Sequence, residues 1–286
     1  MSYKKKILAS SYPLIKWTNK ILTALGLRPK GRLRVIIYHD IPVHLENEFS
    51  NQLSWLSKSW KFVTPEAFSR MMAGQEKILE DSLLLTFDDG FISNRRVAET
   101  VLENLGISAL FFVVTDFINL SSTQDWRKFV GDHIVPGLNP NMVSEDQRNM
   151  SWEDLAFLVE RGHSIGAHTA DHSRLCNVEY DNLQNQIIAS ADEIEEKLSL
   201  KVEHFAYTFG DLKSFSADGL KIARQRFNFI YTGIRGYNNN VAPWAIRRDA
   251  VSPTESCFLV GAFLEGAGDW LYSADLKVYD TWSSRT

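Results

Sequence analysis

The stretch "SLLLTFDDGF", Ser82 to Phe91, is the one on which the fold reading turns. Leu83 to Thr86 reads as a buried strand, and Phe87 extends it. Two carboxylates, Asp88 and Asp89, then stand side by side, followed at once by Gly90. Like charges at contact distance repel, and burying either is costly unless something compensates. A solvated strand-to-loop turn is one account, because Asp and Gly are frequent there. A cation is the other, with one carboxylate binding it and the second doing chemistry beside it.

On either side of this stretch, short apolar runs alternate with amphipathic ones. Strands are expected at Arg34–Tyr38, Lys61–Thr64, Leu83–Phe87, Ala109–Val114, Ser164–Ala167, His204–Tyr207, Phe229–Thr232 and Ala245–Arg248. Helices are expected at Pro65–Ala73, Asn94–Leu105, Trp152–Arg161, Tyr180–Leu198 and Ala217–Phe227, with Ser151 capping the third and Asp154 three residues on. This repeated βα pattern predicts an α/β fold with a parallel sheet closed into a (β/α)7–8 barrel. Residues 116–150 fit no unit and read as an insertion lying over one face, helical over Trp126–Val135.

Barrel active sites lie at the C-terminal ends of the strands. The first strand here ends in His39 and Asp40, the third in Asp88 and Asp89, the Ser164 strand in "HTADH" with His168 and His172, and the His204 strand in "TFGD". Three histidines and a carboxylate pair therefore fall on one rim. His168 and His172 are four apart, a common spacing for a chelating pair. With one carboxylate they make a two-His, one-Asp face that leaves positions open for water and substrate. The bland account of each histidine, a packed or solvated side chain, does not explain why all three follow apolar runs.

"LLLTFDDG" followed by "SIGAHTADH" resembles the signature of the polysaccharide deacetylases (NodB homology, carbohydrate esterase family 4). The resemblance covers roughly residues 33–250; "VIIYHDI", "ALFFVV" and "SWEDLAFLVERGHSIGAHTADHSRL" sit where that family has similar runs. It implies a distorted β/α barrel and hydrolysis of N-acetyl groups on an amino-sugar glycan, either a polysaccharide or a lipid-linked saccharide of surface or exopolysaccharide metabolism. It also implies that Asp89, His168 and His172 bind a divalent metal, with zinc first and Co, Mn, Ni or Fe as alternatives. Asp88 would be the general base, and Phe209 would supply the backbone N–H that binds the oxyanion. The third motif departs from the family: Ala206 stands at its Arg position, and Thr208–Phe209 replaces Pro-Tyr. No histidine follows His204 to act as a late general acid. The deacetylases of poly-N-acetylglucosamine exopolysaccharides are similar in having an early Tyr-His strand end, which makes His39 the expected acid. The roles of Asp40 and Asp211 stay open. A non-haem iron enzyme on the same face would leave Asp88 unexplained. An inactive glycan-binding module would leave the complete set of metal and base residues unexplained.

Charge is unevenly placed along the chain. The first 34 residues carry nine lysines and arginines and no acidic residue, while the remainder holds 22 basic and 35 acidic residues. The acidic body disfavours nucleic acid, and the basic arm suits an anionic lipid surface. Within it Leu14, Trp17, Ile21 and Leu25 recur at helical spacing, widened by Ile15 and Leu22; Ser11 is a candidate cap, Pro13 suits the first turn, and Gly26 and Pro29 end the helix. Lys16 and Lys20 interrupt the apolar run, so the arm reads neither as a signal peptide nor as a membrane span. An interfacial helix and a helix packed on the body both remain open. The expected organisation is a basic amphipathic helix over 1–32 and one catalytic domain over 33–286. The cysteines, Cys176 and Cys257, match no zinc or redox spacing. The expected location is cytoplasmic, peripheral at the inner face of a membrane through residues 1–30.

Overall fold

Alternation along the strands builds the barrel. The computed structural model describes residues 3–284. Its strands are β1 (Leu33–Tyr38), β2 (Lys61–Phe62), β3 (Ser82–Phe87), β4 (Ala109–Val113), β5 (Ser164–Ala167), β6 (His204–Ala206), β7 (Phe229–Tyr231) and β8 (Asp249–Ala250). All pairings between them are parallel, in the order β7-β6-β5-β4-β3-β1-β8, with β2 hung on the first residues of β3. Leu33, Val35, Leu84, Leu110, Phe112, Ala206, Phe229, Tyr231 and Ile246 share one core with Phe68 and Met72 of the helix α3 (Pro65–Met72). These are the inward positions, and α3 plugs the lower end. The alternate residues, Ile36, Tyr38, Leu85, Phe87, Phe111, Ile165 and Phe205, belong to the outer core beneath the helices. The interior is tight: a Cβ on Gly166 would lie 2.6 Å from the Phe112 ring.

Closure falls to one irregular segment, which is what distorts the barrel. Paired strand was expected at Ala245–Arg248 but lies at Asp249–Ala250, against β1. The preceding residues instead pair with β7 through the Tyr231–Ile246 bridge, with Thr232 N–H donating to Ile246 O at 2.8 Å and Ile246 N–H to Ile230 O at 3.0 Å. One short run thus serves two neighbours in turn. Outside this seam, Arg34 and Asp249 are both fully buried and meet at 3.3 Å; Arg235 reaches the other Asp249 oxygen at 3.1 Å, and Arg34 also pairs with Asp269 at 2.9 Å. Burial pushes the Asp249 carboxyl up to about 6 despite the two arginines.

The five expected helices form, within a few residues of their expected ends, and Ser151 and Asp154 make the reciprocal cap. Expectation missed α2 (Glu46–Leu56), the Cys257–Leu264 helix and the Ser273–Ser284 helix. In the second, Leu259 to Leu264 are all buried, so it carries no amphipathic period to read. The arm helix α1 (Tyr3–Ala24) starts eight residues before Ser11, so Pro13 stands inside it and not in its first turn. Its end is as expected, with Gly26 at φ 72°. The insertion forms Thr123–Phe129 and a wide turn over Val130–Ile134, around a small core of Phe91, Phe117, Trp126, Val130 and Val143.

The seam makes a stability prediction. Asp249→Asn removes the fully buried counter-charge shared by Arg34 and Arg235, leaving Arg34 only the partly exposed Asp269, and should cost about 3 kcal/mol of unfolding free energy. Glu80→Gln, which removes the exposed Lys61–Glu80 pair, should leave the melt essentially unchanged. Denaturant melts of the two variants read the difference, and equal small effects would show that the seam is not held by this pair.

Candidate active site

Inward positions at the upper strand ends deliver the site. Leu84 faces the interior, so Thr86 and Asp88 follow it there; Gly166 does the same for His168, and Val35 and Ile37 for His39. A cavity of about 420 Å³ is lined by His39, Asp40, Asp88, Asp89, His168, His172, Phe209 and Arg248 among others. All six expected site residues, Asp88, Asp89, His168, His172, His39 and Phe209, therefore meet at one mouth.

Asp89, His168 and His172 offer ligand atoms that lie within 4.8 Å of one another, all buried. The two His Nε2 atoms stand 3.6 and 3.4 Å from Asp89 Oδ1. Each imidazole is anchored by its other nitrogen: His168 Nδ1 lies 2.8 Å from the Ala206 carbonyl, and His172 Nδ1 2.8 Å from the His133 carbonyl. A carbonyl only accepts, so each Nδ1 carries a proton and each Nε2 is turned toward Asp89. Burial holds the His168 imidazole down at about 4 and so neutral. Burial alone would raise the Asp89 carboxyl, but His172, His39 and His168 around it bring it to about 2. Asp89 Oδ1 is nonetheless a buried acceptor with no donor of hydrogen-bonding geometry. The Asp89 carboxylate raises the affinity of His172 for a proton against the effect of burial, and an oxygen facing two imidazole Nε2 atoms offers a divalent cation the same place.

Asp88 is compensated differently. The Arg248 guanidinium donates Nη1–H to Oδ1 at 2.7 Å and Nη2–H to Oδ2 at 2.9 Å, a two-point grip fully inside the barrel. Nε–H of the same group donates to the Thr232 carbonyl at 2.8 Å. Sequence reading missed Arg248, although a signal was there. Ile246 points inward, and the residue two further along a strand points the same way. A buried inward arginine needs a buried anion, and the open carboxylate at that rim is Asp88.

Backbone strain collects here. Of the six described non-glycine residues at positive φ, four are Asp89 (77°), Thr169 (67°), His172 (65°) and Phe209 (61°). Left-handed backbone at non-glycine residues persists only where the surroundings impose it, and it clusters at functional sites. Gly210, beside Phe209, lies so close to Gly233 that a Cβ would come within 2.6 Å of its Cα. The Phe209 loop is thereby pressed against the loop after β7, and among the described residues the Phe209 N–H meets no backbone acceptor. Asp40 lines the cavity, its carboxyl pushed up by burial against the opposing effect of His39. Asp211 lies outside it, exposed and 3.5 Å from Arg174. The insertion covers the mouth with Ile134, Val135 and Gln147 and supplies the carbonyl that orients His172.

Several known proteins share this architecture. The Bacillus subtilis (strain 168) protein YxkH, whose name assigns it to the polysaccharide deacetylases, is 24% identical over 243 residues, covering 82% of this chain and 77% of that one. IcaB from Ammonifex degensii superposes with a TM-score of 0.66 at 24% identity, over 82% of this chain and 97% of that one. The Streptococcus pyogenes deacetylase PplD, solved in complex with acetate, gives 0.63 at 20% identity, over 80% and 96%. Residues 75–226 match the polysaccharide deacetylase family model, from just before β3 to the end of the Ala217–Arg226 helix, so they span both the carboxylate pair and the histidine pair, and the chain belongs to that family.

Proposed function

We propose that this chain hydrolyses N-acetyl groups on an amino-sugar glycan, a polysaccharide or a lipid-linked saccharide, in a metal-dependent reaction. The observation that carries the reading is the buried Asp89 oxygen opposite the Nε2 atoms of His168 and His172, next to an Asp88 gripped by Arg248. Asp89, His168 and His172 would hold the metal, with zinc first by donor set and Co, Mn, Ni or Fe as alternatives. When bound, the ion polarises the acetyl carbonyl and acidifies water.

The chain's own groups do the rest. The two-point grip of Arg248 aims Asp88, and its carboxylate takes the proton from the attacking water. The Phe209 N–H, fixed by its left-handed backbone, donates to the oxyanion. His39 stands on the first-strand side of the cavity and gives a proton to the leaving amine, which cannot depart as an anion. The Ile134–Val135 cover excludes water from the acetyl group.

We also place the protein on the cytoplasmic face of a membrane, peripherally, in contact with anionic lipid through residues 1–30. The nine basic and no acidic residues of the first 34 support this. Among the described residues no helix is long and apolar enough to cross a membrane.

The overall test is acetate release from N-acetylated amino-sugar oligomers by protein stripped with a chelator and then supplied with zinc. Release without metal, or none with any of the five metals, would sink the reading. His168→Ala should lose bound metal, measured by elemental analysis, while keeping its circular dichroism spectrum. Asp88→Asn should keep the metal and lose roughly 10²-fold or more in turnover. Arg248→Lys should also keep it but lose turnover, because an ammonium cannot make the two-point grip. His39→Ala should slow amide substrates strongly and activated acetyl esters little, since the ester leaving group needs no proton; equal losses on both would make His39 structural.

A further inference from the structure

The helix α1 has two faces, and the body uses only one. On that face Ala9, Tyr12 and Asn19 are buried: Tyr12 packs on Trp55 and Phe258, and Asn19 Nδ2–H donates to Glu265 at 2.7 Å. Lys5 and Lys16 serve the same side, on Glu255 at 2.6 Å and Ser59 at 2.7 Å. At roughly 100° per residue, Tyr3, Ile7, Leu14, Trp17 and Ile21 fall within an arc of about 80° centred opposite Tyr12. They are 37–79% exposed, and Leu25 and Leu27 extend them beyond the helix end. An amphipathic helix needs one apolar face to pack, and this one already has it, so the second is not explained by folding.

Charge identifies the occupant. Lys6 and Lys20 are exposed along the Trp17 edge of the stripe, and the first 34 residues contain no acid. A second copy would bring this cationic face against itself about a two-fold axis, so like charges would oppose. An anionic bilayer meets the charge and the apolar stripe together.

The anchoring contacts also fix direction. Lys5 meets Glu255, whose backbone carbonyl accepts from Gln52; Gln52 in turn accepts from Tyr38, the last residue of β1 and the neighbour of His39. At the other end Asn19 meets Glu265, which pairs with Arg32, the residue before β1 begins. So α1 runs from the catalytic rim to the opposite rim, along the barrel. Resting on the membrane reading above, we infer that α1 docks by its outward stripe on anionic lipid, laying the barrel on its side so that the catalytic mouth opens along the membrane surface. A glycan held at that surface, lipid-linked or lying flat, then meets the mouth laterally.

The test uses the full chain and vesicles of phosphatidylcholine with and without phosphatidylserine. Leu14→Ser, Trp17→Ser and Ile21→Ser together should weaken binding to the anionic vesicles at least about tenfold, in low and high salt, while leaving acetate release from a soluble oligomer unchanged. Spin labels in a Cys176→Ser, Cys257→Ala background then read orientation. Labels at positions 7, 14 and 21 should enter lipid to similar depth, while labels at Val43 beside the mouth and Leu79 at the opposite end, both exposed, stay in water. If the unaltered chain ignores anionic vesicles, the membrane reading fails altogether. If it binds but the triple variant binds as well, or the Val43 label enters lipid, membrane contact stands and this docking face is wrong. A dimer in solution that the triple variant dissolves would assign the stripe to a second copy and overturn the proposal.

Discussion

The grip of Arg248 on Asp88 is the interaction on which the rest of the molecule depends. It sets an arginine and a carboxylate, both almost wholly buried, in contact inside the barrel, where either alone would be very costly. The arginine stands on the segment that closes the sheet, between its pairing with β7 and its pairing with β1. The carboxylate ends β3. Closure of the barrel and charging of the catalytic rim are therefore one event. If the seam opened, Asp88 would lose its partner and the rim would hold two uncompensated carboxylates. The Arg34–Asp249–Arg235 cluster on the outer side of the same segment fastens it from behind. One strand position points in and its neighbour points out, so two adjacent residues, Arg248 and Asp249, anchor the seam on both faces.

Around this frame the loops are held in backbone that they would not adopt alone. Asp89, Thr169, His172 and Phe209 all sit at positive φ, in the loops that follow β3, β5 and β6. The histidine loop is tied down from several sides: His172 N–H donates to Thr169 Oγ1, Asp116 N–H to the Ala170 carbonyl, and Thr208 Oγ1–H to the Ser173 carbonyl. One of these ties comes from the insertion, and so does the His133 carbonyl on His172. The segment that fits no βα unit is thus part of the ligand geometry as well as a cover. It takes its place because Phe91 and Asn149 bridge it to the turn that carries Asp89 and Gly90.

What the sequence made legible follows from how local the causes are. Strand runs such as "LLLTF" and "SIGA", and the residues that end them, report on short-range alternation, and the structure keeps both runs and the meeting of His39, Asp88, Asp89 and His168 at one rim. The Cys257–Leu264 helix was illegible because six successive buried residues, Leu259 to Leu264, leave no period to read. The orientation of α1 was illegible for a different reason. Leu14, Trp17 and Ile21 form the more regular stripe, yet the body takes the other face through Tyr12 and Asn19, and only the tertiary partners Trp55, Phe258 and Glu265 decide that. Arg248 lay between these cases: its inward direction could be read from Ile246, but its partner depends on which strands neighbour across the barrel.

That partner also bears on the altered third motif. Ala206 stands where the family resemblance leads one to expect arginine, which taken alone would suggest a weakened base and an inert module. Ala206 lies on the inward face of β6, in the same core as Phe112 and Tyr231. The Arg248 guanidinium lies over those two rings, 5.1 and 5.9 Å from their centres. A barrel interior is shared by all its strands, so a charge needed at the end of β3 can come from any inward position whose side chain reaches it. A small residue at 206 leaves room for an arginine arriving from the closing segment; two arginines in that space would repel and overpack. The small residue at 206 and the arginine at 248 therefore suit one another within the same interior.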